Sequence, residues 1–171
     1  MSFDKVILTH QLLVSLFGKS LYKDTLLHSD VSDSSPDTKL PFLGNNNHHT
    51  SIVVNYPGEL FLPERHLEFI AKMLSACKMT LADVAIINLK DQMIPFKTLK
   101  KQLAPVQMIF FAVEPTALGL NRNPDYFTPD TFDNCTIITL PSLEMINQEN
   151  PEAVLLKKKL WTCLKQLFNI L

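Results

Sequence analysis

The chain has 171 residues, 46% of them hydrophobic, which is enough to build one domain with a real core. Its formal net charge of −1 excludes a strong overall field toward nucleic acid or anionic membrane, so any such contact needs a local patch. Only four glycines are present, and neither a phosphate-cradling loop nor a dinucleotide fingerprint can be found among them.

In chain order, residues 1–27 predict an N-terminal helical segment, with Ile7, Leu8, Leu12, Leu13, Leu16 and Phe17 on one apolar stripe. Thr9, His10 and Gln11 interrupt the apolar stretch and no small-residue cleavage site follows, so no signal peptide is expected. Residues 28–50 are polar and turn-rich and read as a loop or linker. Residues 51–171 then alternate. Ser51–Asn55 is a short β-branched run, hence a buried strand. Pro63 opens a helix carrying Leu67, Ile70, Ala71 and Leu74. Ala82–Asn88 is a second strand and Phe96–Leu103 a short helix that stops before Pro105. Val106–Val113 is a third, wholly apolar strand, followed by a helical turn from Glu114 to Gly119. Cys135–Leu140 is the fourth strand. Asn150 and Pro151 open a last helix with Leu156, Leu160, Leu164 and Leu167 facing inward.

This alternation predicts an α/β fold: a four-stranded parallel sheet between helices, in three layers. Sites in such sheets lie beyond the carboxyl ends of the strands. Tyr56-Pro57-Gly58, Asn88 and Leu140-Pro141-Ser142 all fall on that edge.

Four stretches in this order carry a resemblance. They are Asn55-Tyr56-Pro57-Gly58; Met79 through Asn88; Leu103 through Ala112; and Leu140-Pro141-Ser142-Leu143 with Asn150-Pro151, Lys158 and Trp161 through Lys165. They lie in the region from about Ile52 to Leu167, roughly two-thirds of the chain, which resembles the uracil-DNA glycosylase superfamily. The resemblance implies a glycosylase-like fold whose pocket would be lined by Asn55, Tyr56, Pro57, Gly58, Asn88, Leu140, Pro141 and Ser142. It also implies that the chemistry is gone. In the family, the residue before the first-loop proline is often Asp or Asn and handles the attacking water. Tyr56 stands there, and a phenol with a pKa near ~10 is a poor base. The family's second-loop histidine, which stabilises the departing base, is replaced by Leu140, which has no donor; losing one such donor costs about 100- to 1000-fold in rate. Asn88 matches the family's base-reading asparagine. The superfamily's iron–sulfur branch uses four cysteines, a set that Cys77, Cys135 and Cys163 do not reproduce.

Within the superfamily the resemblance points to the non-enzymatic psi family, a subunit of bacterial DNA polymerase III. It implies a non-catalytic interaction subunit of a replication or repair assembly. The N-terminal stripe at Leu8, Leu12, Leu13, Leu16 and Phe17 would meet a protein partner such as a clamp-loader subunit, and DNA would be a weak partner at most. The alternative is a divergent glycosylase that cleaves the N-glycosidic bond of a flipped base using Tyr56, Asn88 and Ser142.

Simpler readings apply elsewhere. His48 and His49 are adjacent in an extended segment and point apart, so no metal is expected. Glu64, His66 and Glu68 fit a solvated helix face, as do the lysine groups 97/100/101 and 157–159. No cofactor is expected. The three separated cysteines read as buried, reduced thiols of a cytoplasmic protein, and no apolar run is long enough to span a bilayer.

Overall fold

Strand formation follows the β-branched and aromatic runs. In the computed structural model, which describes residues 39–170, β1 (Thr50–Val54), β2 (Val84–Asn88), β3 (Gln107–Phe111) and β5 (Cys135–Leu140) are the four strands expected, trimmed or extended by a residue or two. The helices are α1 (Glu64–Ala76), α2 (Phe96–Leu103), α3 (Leu143–Ile146) and α4 (Pro151–Leu167). Leu8, Leu12, Leu13, Leu16 and Phe17, with the rest of the predicted N-terminal segment, lie outside the described residues.

With β4 (Asp130–Phe132) added at one edge, the sheet is five-stranded and mixed, in the order β2-β1-β3-β5-β4, which corrects the four-stranded parallel expectation. Pairs β1–β2, β1–β3 and β3–β5 are parallel, whereas β4 runs antiparallel to β5. Asp133 and Asn134 join β4 to β5 in a two-residue turn, with φ of 51° and 59°. These residue types tolerate the left-handed region, and that turn matches the twist of a hairpin. Phe132 holds the short strand down. Its ring packs on Phe96, with centroids 5.7 Å apart, and the Arg122 guanidinium lies 5.0 Å above it. Arg122 also forks onto both carboxylate oxygens of Asp130 at 2.9 and 2.8 Å.

Chain direction fixes the layers. The crossover through α1 moves one way across the sheet and the crossover through α2 moves back past β1. Right-handed crossovers therefore put α1 and α2 on opposite faces. Burial agrees. Val53, Ile87, Met108, Phe110 and Ile137 pack with Phe96, Leu99 and Leu103 of α2 on one face. Ile52, Val54, Ile86, Ile109, Phe111, Ile138 and Leu140, of the other parity, are equally buried, as are Leu67, Ile70 and Leu74 of α1.

α4 has the predicted cap. Asn150 Oδ1 accepts from the Ala153 N–H at 2.7 Å, and Pro151 occupies the first turn. Ala153, Leu160, Cys163 and Leu164 are its buried stripe. The expected inner positions Leu156 and Leu167 are only half-buried.

The outer edge of β2 is closed by the segment before β1. Leu43 exchanges both backbone hydrogen bonds with Ile86, at 2.9 and 2.8 Å, and the Asn46 N–H donates to the Val84 carbonyl at 3.1 Å. Gly44 makes this approach possible, with φ of +108° and its α-carbon against the Val84 and Leu81 carbonyls. A β-carbon there would overlap both oxygens. Gly44→Ala is expected to lower unfolding free energy by roughly 1–3 kcal/mol. Urea denaturation checks this, and an unchanged midpoint would contradict the close approach.

Candidate functional site

The carboxyl edge of the sheet gathers the residues that the sequence singles out, but it distributes them between three different roles.

Asn88 is the anchor. Register sets Asn88 beside Val54, two residues before Tyr56. Its Oδ1 accepts from the Tyr56 N–H at 2.8 Å and the Lys90 N–H at 3.2 Å. Its Nδ2 donates to the Tyr56 carbonyl at 2.8 Å and the Glu59 carbonyl at 3.0 Å. An amide has two donors and one acceptor oxygen with two lone pairs, so every capacity of the side chain is occupied by backbone. Asn88 is also buried. In this arrangement it shapes the loop 56–59 and offers nothing to a flipped base.

Leu140 and Pro141 belong to the core. Leu140 is fully buried, which contributes roughly 1.5–3 kcal/mol for a side chain of this size. Its carbonyl accepts from the Ala112 N–H at 2.9 Å, continuing the β3–β5 ladder. Ser142 caps α3, its Oγ accepting from the Met145 N–H at 3.2 Å. Asn55, Pro57 and Gly58 are exposed.

Tyr56 joins a polar network that the sequence reading did not find. Its ring tilts against His66, with centroids 5.8 Å apart and planes at 30°. Its hydroxyl lies near the Glu144 carboxylate. Burial, and then this carboxylate, raise the Tyr56 pKa well above the phenol range, so the group is a neutral donor at pH 7. His66 is 1% exposed rather than part of a solvated face, which corrects the helix-face reading. The nearest polar atoms show why it can be buried. Nε2 lies 3.3 Å from Glu144 Oε1, and Nδ1 lies 3.4 Å from Asn147 Nδ2. These partners fit the tautomer with Nε2–H donating to Glu144 and Nδ1 accepting from Asn147. Arg65 Nε, 3.4 Å from the same Nε2, is then a neighbour without a hydrogen bond. Burial lowers the His66 pKa more than Glu144 raises it, with Arg65 adding to the lowering, so the ring is neutral at pH 7. Glu144 is pushed up by its own burial. Its backbone N–H at the start of α3, the Tyr56 hydroxyl, His66 and the Ser142 hydroxyl together outweigh that and hold it below the usual carboxylate range.

An open cleft of about 330 Å³ lies between the ends of β1, β2 and β3, lined by Asn55, Asp91, Gln92, Met93 and Glu114 among others. This is the point where strand order reverses, the usual crevice of an open α/β sheet. Part of its polar wall is paired internally. Asn55 Nδ2 donates to Asp91 Oδ1 at 2.7 Å, the Asp91 N–H donates to Asn55 Oδ1 at 2.8 Å, and Glu114 accepts from the Thr116 hydroxyl at 3.2 Å. Tyr56, Asn88 and Ser142 do not line the cleft. The structure thus separates what the sequence had grouped: Asn55 at the cleft, Tyr56 and Ser142 in the Glu144 network, Asn88 and Leu140 in the frame.

Among the described residues, no cluster of His, Cys, Asp or Glu could hold a metal ion. His48 is 3.8 Å from Asp83, whereas His49 Nδ1 meets the Leu103 carbonyl at 3.2 Å. All three cysteines are buried free thiols with raised pKa values, reaching about 11 for Cys135 and Cys163. Burial is the leading cause in each case. No described helix is long and apolar enough to cross a membrane.

No protein-family model and no curated protein matches the chain.

Two predictions follow from the network and the anchor. Asn88→Ala is expected to cost roughly 2–4 kcal/mol, because four backbone groups lose their hydrogen-bond partner at once. Hydrogen exchange at the Tyr56 and Lys90 amides would accelerate beyond the global change; equal protection in the variant would refute the anchor. Stability is also expected to fall on acidification. The His66 pKa is lowered from 6.5, so below pH 6.5 the unfolded chain takes up a proton that the fold resists. The Glu144 pKa is lowered from 4.5, so its contribution is complete above pH 4.5 and is lost as pH falls through the folded value. Urea midpoints at several pH values between ~7.5 and ~4 would show a decline that starts near pH 6.5. His66→Gln would flatten the upper part of that decline, and an unflattened decline would remove His66 from it.

Proposed function

We propose that this chain is a non-catalytic interaction subunit built on a three-layer, glycosylase-like α/β frame, similar in role to the psi subunit of bacterial DNA polymerase III. Its work would be contact alone, within a replication or repair assembly. The observation that carries this reading is the Asn88 side chain, whose donors and acceptor are all taken by the backbone of residues 56–59 and by Lys90.

The other two positions support it. Leu140 is a core side chain without a donor. Tyr56 is a neutral phenol whose hydroxyl faces Glu144, so it supplies no base at neutral pH. Glu144 is an ionised carboxylate near the strand ends, but Tyr56, His66 and Ser142 already surround it, and it lies outside the cleft. A divergent glycosylase would need an open pocket beside Tyr56 and Asn88, and the cleft is lined by neither.

Surface charge fits protein contact better than a DNA track. Lys100 pairs with Asp133, and Lys157 donates to the Gln148 carbonyl at 2.9 Å. These are local partners of the lysine groups, in a chain whose net charge is −1.

The deciding experiment is single-turnover excision at protein excess, on uracil- and hypoxanthine-containing DNA, single- and double-stranded. The expected result is no free base above a heat-inactivated control. Base release that scales with protein concentration would sink the non-catalytic reading.

A further inference from the structure

The outer face of α4 carries three side chains that a solvated helix has no use for. Val154 is 49% exposed, Leu155 54% and Trp161 39%. At about 100° per residue, Val154, Lys158, Trp161 and Lys165 fall within roughly 60° of one another, and Leu155 lies about 60° further round, past Lys158. The apolar positions span two turns, about 10 Å along the axis. The helix is held rigidly from behind by Ala153, Leu160, Cys163 and Leu164 and capped in front by Asn150. Tryptophan is prominent among residues that anchor interfaces, and here it stands between lysines.

We propose that this face docks an amphipathic helix of a partner protein, one that sets aliphatic anchors two turns apart between acidic side chains. The proposal deepens the non-catalytic reading above and rests on it. Charge selects the occupant. α4 carries Lys157, Lys158, Lys159 and Lys165 against the single acid Glu152. Lys158 and Lys165 interleave with the apolar column, so a second copy laid on this face would set lysine against lysine. Acidic flanks on the incoming helix would instead meet them. Lys157 is turned to the side, toward the Gln148 carbonyl, which leaves the apolar column open. Val154 and Trp161 stand seven residues apart, the i to i+7 interval that the outer anchors of an incoming amphipathic helix also keep, with Lys157 and Lys158 between them.

Trp161 is the chain's one tryptophan, so its emission reports on this face alone. The full chain is titrated with a short synthetic helical peptide bearing leucines at i, i+3, i+4 and i+7 and glutamates on their flanks. A second peptide carries lysine in place of each glutamate. The expected result is a saturable blue shift with the glutamate peptide, weakened by salt, and binding at least about tenfold poorer with the lysine peptide. Val154→Glu, which sits on the surface and leaves the buried stripe intact, should weaken binding about tenfold or more with an unchanged melting temperature. The proposal is overturned if neither peptide shifts the emission up to about 1 mM, or if both bind equally. It is also overturned if sedimentation shows a second copy covering the face, or if vesicles of phosphatidylcholine and phosphatidylserine shift Trp161 while the glutamate peptide does not. The excision assay does not involve Trp161, so failure of the peptide titration alone would discard this face and leave the non-catalytic reading in place.

Discussion

A single amide side chain sets the architecture at the carboxyl edge of this sheet. Asn88 ends β2 in register with Val54 and ties both sides of the first loop, through the Tyr56 N–H and carbonyl and the Glu59 carbonyl, to the start of the next connection at Lys90. The loop's shape then determines the rest. It turns Tyr56 away from the cleft and onto His66, at the start of α1. Tyr56 in turn reaches Glu144 in α3, so the ends of β1 and β5 are linked through side chains although β3 lies between them. A group that could in principle read a ligand has been taken over by backbone, and a network of neutral His, neutral Tyr and ionised Glu grows from that choice. Buried polar networks of this sort are tolerable only when each member is satisfied. Here the tautomer of His66, with Nε2–H toward Glu144 and Nδ1 toward Asn147, meets that condition.

Much of the frame was legible in the sequence. The runs SIVV, VAII, QMIFF and CTIITL are strands because β-branched and aromatic side chains suit a sheet buried on both faces. The Asn150-Pro151 start of α4 was readable from cap chemistry alone. β4 was missed because three residues, none of them buried, carry no hydrophobic periodicity. The signal that could have found it is local: Asp133-Asn134, a pair that accepts left-handed backbone, directly before a clear strand.

The site was harder to read. Its positions were identifiable as strand ends, but their roles depend on register and side-chain direction. Asn88 looks the same in a sequence whether its amide faces a ligand or a loop. His66 was read as solvated because Glu64 and Glu68 flank it. At helical pitch, however, it shares the stripe of Ile70 and Met73, and its burial becomes tolerable only through Glu144 and Asn147, some eighty residues away in the chain. Long-range partnership of this kind leaves no local mark.

The closure of the β2 edge has a consequence for how the molecule can associate. Strand edges are where sheets recruit further strands, including those of neighbouring molecules. On the β2 side the Val84 carbonyl and both backbone groups of Ile86 are occupied by Asn46 and Leu43 of the same chain. On the far side β4 offers only three residues, held down by Arg122 and Phe96. Neither margin is a template for continuous main-chain pairing. The sheet is finite by construction, resistant to runaway polymerisation, and leaves recognition to the side chains that its helices display.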